Sequence, residues 1–421
     1  MTTTPATTGR WRLSERSLVF LLAAVTMIGP FTIDTIFPGF AGIEREFDVD
    51  PVTVQQTISI YMVSFAVMSL LHGPLSDALG RRPVMIWGLL SFAATSAFCA
   101  LAPSMTWLLV ARGLQGLVAG AGMVVSRTVV RDVFTGEPAQ RAIAHMSMIF
   151  GLAPAAAPIV GGWLLGWSSW RSVFWFLAGM GLVLVAAVVA LLPETHPAEN
   201  RTPVQPRALL GALTSAVRNP GVRRLLAVSS LNFAALFTYI SAAPVIVLTH
   251  LGLGEQEFGW LFVPIVAAMI TGSWLTGRLA GRFRPTHFIS AGLAIAAAGA
   301  VVQLTLSSIG VHQLPWLLLA PVTTGLGIAL VYPIVTLALL DLSPRHRGTL
   351  SSLQSFTNTS LNAVVAGAVV PLVSARMPSL TVTALGFSLA AWAAWAWHAR
   401  RSRPVLRTPA HPESYEPTDR M

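Results

Sequence analysis

The chain reads as long apolar runs separated by short polar gaps. Twelve such runs fall at roughly 18–40, 54–74, 84–101, 105–127, 142–164, 172–192, 223–249, 258–280, 286–309, 315–340, 348–371 and 380–398. Each is close to the ~20 residues that a helix needs to cross a bilayer, so the pattern predicts an all-α membrane protein with twelve transmembrane helices. The longest gap, about 193–222, is polar and holds Pro193, Glu194, Pro197, Pro203 and Pro206. It divides the helices into six and six. The predicted organisation is an N-terminal segment 1–17, a six-helix half 18–192, a central loop 193–222, a second half 223–398 and a tail 399–421, whose proline and charge content predict disorder. The first apolar run is too long for a cleavable signal and contains Asp34, so it is expected to stay in the protein.

Charge then orients the bundle. The gaps that include both termini and the middle loop hold 23 arginines; the alternate gaps hold three, Arg45, Arg171 and Arg376. The second set also carries Glu44, Glu46, Asp48, Asp50, Glu255 and Glu257. Basic residues are retained on the cytoplasmic side, so both termini are expected there. Composition agrees with a polytopic protein: 54% of the 421 residues are hydrophobic, 10% are charged, and the mean hydropathy is +0.67. All 27 basic residues are arginine, a compositional hint of a GC-rich, bacterial genome and hence of a bacterial inner membrane. The net charge of +10 lies in short blocks between apolar runs, which argues against nucleic acid as a partner. Cys99, the only cysteine, sits in an apolar run, so neither a disulfide nor a cysteine metal site is expected.

One polar gap is unusual. His72-Gly73-Pro74-Leu75-Ser76-Asp77-Ala78-Leu79-Gly80-Arg81-Arg82-Pro83 places an acid and two arginines in a glycine turn between two spans, and reads as a short cytoplasmic hairpin. A degraded copy, Gly277 to Pro285, follows about 200 residues later with Gly281 in place of the acid. Taken by its chemistry alone, Asp77 could cap a helix and Arg81 could face lipid phosphate. His72 is either a group titrating near neutral pH or a satisfied interfacial histidine.

Two charges fall inside spans, Asp34 and Arg112. An ionisable residue at that depth costs at least about 2.5–3.5 kcal/mol on insertion scales and is a functional candidate by default. Counting residues at 1.5 Å each places both about 6–8 Å from the midplane on the same, outer side. They are expected to share a water-filled cavity or to pair directly. In the functional reading, Asp34 alternately takes a proton and a substrate while Arg112 tunes its acidity; in the structural reading, the two form a permanent pair.

The hairpin resembles the signature loop of the major facilitator superfamily. Arg112-Gly113-Leu114-Gln115-Gly116 resembles that superfamily's fourth-helix pattern, and Ala153 to Gly162, with Pro154, Pro158, Gly161 and Gly162, resembles its antiporter element, with Ala157 at a usual glycine. Within the superfamily the chain looks most like the bicyclomycin/chloramphenicol-resistance (Bcr/CflA) drug-efflux branch. The matching pieces are Asp34 to Pro38, Gly73 to Pro83, Arg127 with Arg131-Asp132, Trp170-Arg171, Leu192 to Thr195 and Tyr239 to Ser241 with Pro244. Ala78 departs from the pattern, and no second acid occurs between Leu21 and Thr32.

The resemblance implies a major facilitator fold of two six-helix halves and a monomeric, proton-coupled antiporter that exports small amphipathic drugs. Phenicol-like or bicyclomycin-like antibiotics are candidate cargo, and no cofactor, metal or enzymatic activity is expected. Gly73, Asp77, Gly80, Arg81 and Arg82 would form a conformational latch that holds the cytoplasmic side closed. The bent helix with Pro154 and Pro158 would act as a pivot or leak seal, or be merely kinked. A drug cavity should mix aromatic surface with a few polar groups, and its candidates are Phe31, Asn232, Phe233, Phe237, Tyr239, Tyr332, Gln354 and Asn358. A proton-coupled metabolite symporter and a non-transporting scaffold are the alternatives.

Overall fold

In lipid every backbone N–H and C=O must find its partner within the segment, which leaves helices as the solution for an apolar chain of this kind. The computed structural model describes residues 14–134, 136–279, 282–311, 313–343 and 347–401. Its first half holds α1 (Glu15–Asp34), α2 (Phe40–Phe47), α3 (Pro51–Ser69), α4 (His72–Leu79), α5 (Arg81–Ala100), α6 (Met105–Val133), α7 (Gly136–Trp167) and α8 (Arg171–Leu191). A middle segment carries α9 (Pro206–Arg218). The second half holds α10 (Pro220–Ser241), α11 (Gly259–Leu279), α12 (Pro285–Ser308), α13 (Leu319–Asp341), α14 (Arg347–Val364), α15 (Val370–Val373) and α16 (Met377–Arg401). Among the described residues eleven helices are long and apolar enough to cross a membrane, and Gly151–Trp167 within α7 is a shorter apolar stretch.

Helix starts follow local chemistry. Asp50 accepts hydrogen bonds from Thr53 N (3.0 Å) and Thr53 Oγ1 (2.7 Å), with Pro51 at the first helical position of α3. Asn219 takes the Gly221 N–H at 2.8 Å ahead of α10, again with a proline at the start. The first apolar run does not continue to residue 40. Helix α1 stops at Asp34, a 3-10 turn spans Phe37–Gly39, and α2 follows as a separate short helix.

The stretch expected to be a glycine turn is itself helical. Helix α4 runs to Leu79, and Gly80, at φ +99°, makes the corner into α5. The central loop also contains more order than its composition suggests. In α9, Leu209, Leu213 and Ala216 are half-buried on one face, and Leu213 and Ala216 pack against the second half. The degraded copy of the signature loop is described only in part, since Gly281 lies outside the described residues.

The halves meet at one end of the bundle, the face that carries residues 35–50 and 251–258. There α3 runs against α14 and α7 against α11. Gln55 Nε2 donates to Ser241 Oγ (2.6 Å) and Ser241 O (3.2 Å), Gln56 Nε2 to Gly367 O (2.9 Å), and Ser59 Oγ to Ala363 O (3.0 Å). Gly367 lies in a π-helical turn, Val365–Val369. Phe37 stacks on Phe262 with centroids 6.3 Å apart, and Arg45 reaches Glu255 at 3.8 Å. A cleft of about 560 Å³, lined by Gly162, Leu165 and Glu255 among others, opens on this face.

Candidate functional site

Asp34 is the last residue of α1, only 4% exposed, and its carboxylate forms no ion pair or hydrogen bond with a described residue. Arg112, in α6, is fully buried. Of the two arrangements expected, a shared water-filled cavity or a direct pair, the direct pair is absent in this conformation, so the two do not form a permanent pair. Arg112 instead spends its donors on main chain and an amide. Nε donates to Thr57 O at 3.1 Å, and Nη1 to Thr32 O at 3.3 Å and to Gln115 Oε1 at 2.6 Å. Its guanidinium lies 4.4 Å from the Tyr61 ring centroid and 5.9 Å from that of Phe174. Gln115 Nε2 continues the chain to Ser96 Oγ at 2.8 Å.

The physical reason lies in the end of α1. The last carbonyls of a helix have no intrahelical donor, and Thr32 O is among them. Arg112 therefore binds the end of the helix whose final residue is Asp34, two positions further on. Gln115 was visible within the fourth-helix pattern; Tyr61 carried no sequence signal, because an aromatic in a span ordinarily packs as core.

Around Asp34 the packing is close. A β-carbon on Gly161 would run into Thr35 O, and one on Gly162 would meet Glu255 O, a residue of the second half, at 2.5 Å. The carboxyl end of α7 is thus wedged between the end of α1 and the loop before α11. Ala153 and Ala157, fully buried, flank Pro154 and Pro158 and pack on Phe31.

The signature loop is built around Arg81, 5% exposed. Its guanidinium bonds Asp77, Ser76 Oγ (2.8 Å) and Asp132 Oδ2 (3.2 Å), the last on α6. The carboxylate of Glu194 accepts the backbone N–H groups of Arg81 (2.9 Å) and Arg82 (3.3 Å), capping α5 from outside, and Arg201 approaches it at 4.0 Å. Arg82 Nη2 donates to Val189 O at 2.7 Å. A buried Arg81 does not face lipid phosphate, and Asp77 caps no helix. These contacts join the loop to α6 and the central segment. Gly73 lies on α4, 4.0 Å from Val124 by its would-be β-carbon. His72, outside the spans α3 and α5, is 1% exposed against α6, and burial pushes its pKa down to about 4, so it is neutral at physiological pH.

The proposed cavity residues separate into two groups. In the second half Gln354 Nε2 donates to Ser229 Oγ and Thr336 Oγ1, both at 2.9 Å, and Asn358 Oδ1 accepts from Ser230 Oγ at 2.8 Å and Ser229 Oγ at 3.3 Å. The ring of Tyr332 lies 6.1 Å from that of Phe233. Asn232, on the same helix as Ser229, is buried with its Nδ2 unpartnered. Phe31, Phe237 and Tyr239 are core residues in this conformation, at 8%, 4% and 0% exposure.

Comparison with known proteins places this arrangement. The family description Major Facilitator Superfamily matches residues 19–367, and the chain belongs to that family of membrane transporters. It is 33% identical over 304 residues to the "Uncharacterized MFS-type transporter YdgK" of Bacillus subtilis, covering 72% of this chain and 75% of the relative. It is 27% identical over 277 residues to a "Bicyclomycin resistance protein homolog" of Haemophilus influenzae (66% and 70%), and 26% identical over 339 residues to "Multidrug resistance protein D" of Escherichia coli (80% and 84%). Among solved structures, a peptide transporter POT in complex with sulfate superposes with a TM-score of 0.73 at 16% identity, covering 91% of this chain and 95% of that one. The human organic anion transporter MFSD10 gives 0.68 at 19% identity, over 91% and 100%. At these identities the structures show the shared fold.

Proposed function

We propose that this transporter is a proton-coupled antiporter that exports small amphipathic molecules from the cytoplasm of a bacterium, with both termini on the cytoplasmic side. One observation carries the reading. Asp34 closes α1; among the described residues it is buried without a counter-ion, and it stands at the junction of α1, α7 and the contact between halves. A buried carboxyl with no partner is a group whose proton occupancy changes with access to water. The face sealed by Gln55, Gln56, Ser59 and Arg45 is then the outer one, and cargo enters from the face that bears the termini. Arg112, by holding the end of α1, positions Asp34 for alternating access and acts through the helix.

The signature loop serves this cycle as a latch within the first half. The relatives named for bicyclomycin and multidrug resistance support drug export as the direction. The test uses inverted membrane vesicles from a pump-deficient bacterium, with an antibiotic and dye panel. Substrate-dependent proton release in the wild type and none in Asp34→Asn is the expected result. Proton release that persists in the mutant removes Asp34 from the mechanism, and substrate-driven proton movement of the opposite sign moves the function to uptake.

A further inference from the structure

No acid occurs at residues 200–254 or 342–401, so α9, α10, α14 and α16 carry arginine without a carboxylate of their own. Three of these helices come together at the face that bears the termini. Leu213 and Ala216 of α9 pack in one cluster with Val222 and Leu225 at the start of α10 and with Trp395 near the end of α16. Arg207 and Arg218 on α9, Arg223 and Arg224 on α10, and Arg400 and Arg401 on α16 bring six positive charges to this corner. None of the six forms an ion pair with a described residue. The neighbouring acid, Asp341 at the end of α13, is held by Arg347 at 3.3 Å.

Arg224 is the centre of this patch. Its guanidinium carbon lies 5.7 Å from the Trp397 ring centroid, and its Nε is buried with no hydrogen-bond partner among the described residues. A buried N–H left without an acceptor is costly, and an acceptor from outside the chain would complete it. Trp395 is buried and stacks on His398 with centroids 5.6 Å apart, whereas Trp397, two residues on, is exposed. The end of α16 thus turns one tryptophan into the core and presents the other at the perimeter, where an indole beside a span belongs at headgroup level. On α9, Leu210 and Val217 are exposed three residues before and four after Leu213, so the apolar stripe continues past the part that the bundle covers. With Arg207 and Arg218 close by on the same helix, this is the pattern of a helix lying in the membrane interface.

We infer that α9, the start of α10 and the end of α16 form a docking surface for an anionic phospholipid, with Arg224 and Trp397 as the seat of its phosphate. The occupant follows from the chemistry of the patch. A phosphate diester brings both the negative charge that six unpaired arginines lack and an acceptor oxygen for the Arg224 Nε. Its acyl chains account for the exposed Leu210, Val217 and Trp397, which a soluble anion would leave in water. A basic corner between membrane helices, next to exposed apolar surface, is where acidic headgroups are held. The surface lies on the outside of the second half, so it is separate from Asp34 and does not depend on the direction or coupling of transport.

The experiment is native mass spectrometry of the full-length protein in detergent, with dioleoyl phosphatidylglycerol and dioleoyl phosphatidylcholine added at equal concentration. The wild type is expected to retain the phosphatidylglycerol about fivefold or more over the phosphatidylcholine, with the preference shrinking as ammonium acetate is raised tenfold. Arg224→Gln should cut the retained phosphatidylglycerol about fivefold, and Trp397→Leu severalfold. Arg224→Lys and Trp397→Phe should keep most of it, which separates loss of the seat from loss of the fold. Arg376→Gln, on the opposite face, should change nothing. Equal retention of the two lipids by the wild type, or a preference that survives in Arg224→Gln, overturns the docking surface. So does a preference removed by inorganic phosphate but not by ammonium acetate of equal ionic strength, which would make the site one for a soluble anion. Asp34→Asn should retain phosphatidylglycerol as the wild type does, so a failed antiport assay and a failed lipid assay are distinguishable.

Discussion

Arg112 rests on the ring of Tyr61, 4.4 Å from its centroid, and binds the carbonyl end of α1. A cation without a carboxylate in a bundle core is stabilised by a π face and by main-chain oxygens, both of which depend on the relative placement of α1, α3 and α6.

Tyr61→Phe should therefore leave stability nearly unchanged, since the π face remains. Tyr61→Ala removes the ring, opens a cavity and strips the guanidinium of its cover, at a cost of about 3–5 kcal/mol. Thermal unfolding in detergent reads the difference. Arg112→Lys should fall with Tyr61→Ala, because a single ammonium nitrogen cannot reproduce the spread of donors with which Nε reaches Thr57 O and Nη1 reaches Thr32 O and Gln115.

Glu194 caps α5 across the chain, so Glu194→Ala leaves the N–H groups of Arg81 and Arg82 without their acceptor. The expected loss is about 1–2 kcal/mol. Faster tryptic cleavage at Arg201 and a lowered unfolding midpoint would report it, while Glu194→Gln should recover part of both.

The seal between halves rests on side-chain donors from α3 meeting main-chain oxygens of the second half. Gln55→Ala with Gln56→Ala removes three hydrogen bonds across the seal, two to main-chain oxygens and one to Ser241 Oγ, each worth about 0.5–1.5 kcal/mol, and should move the population toward the state open on this face by roughly tenfold or more. Gly367→Leu should do the same sterically, since a β-carbon there already meets Ser59 Cβ at 2.8 Å. Spin-label distances across the face measure the shift. Cys99 is fully buried, so introduced cysteines can be labelled without it.

His72 gives a pH signature. Its folded pKa of about 4 lies below the ordinary 6.5, so the unfolded chain binds the proton first. Its contribution is complete above pH 6.5 and is lost as pH falls toward 4, on the order of 3 kcal/mol in all. Plotting the unfolding midpoint against pH should show a drop across that window in the wild type and a flatter line in His72→Gln.

The functional residues differed in how far they could be read in advance. Asp34 and Arg112 stood out because a charge inside an apolar run is an anomaly along one dimension. Their lack of contact did not, since equal depth leaves the rotation of each helix about its axis open. Glu194 could be seen only as part of a short motif; its role as the cap of α5 joins residues 113 positions apart.

By itself the sequence determined the spans, the division into two halves and the family. Crossing lipid is a local demand: each run must satisfy its own backbone and be about 20 residues long. The tertiary structure decided which face of each helix meets which neighbour. In a bilayer, lipid and protein core are equally apolar, so hydrophobic periodicity carries little information about rotation. The moves of Arg112 from Asp34 to Tyr61, of the signature turn into a helix, and of Gln55, Gln56 and Ser59 into a seal all follow from that missing information. They are settled by close packing and by hydrogen bonds between segments far apart in the chain.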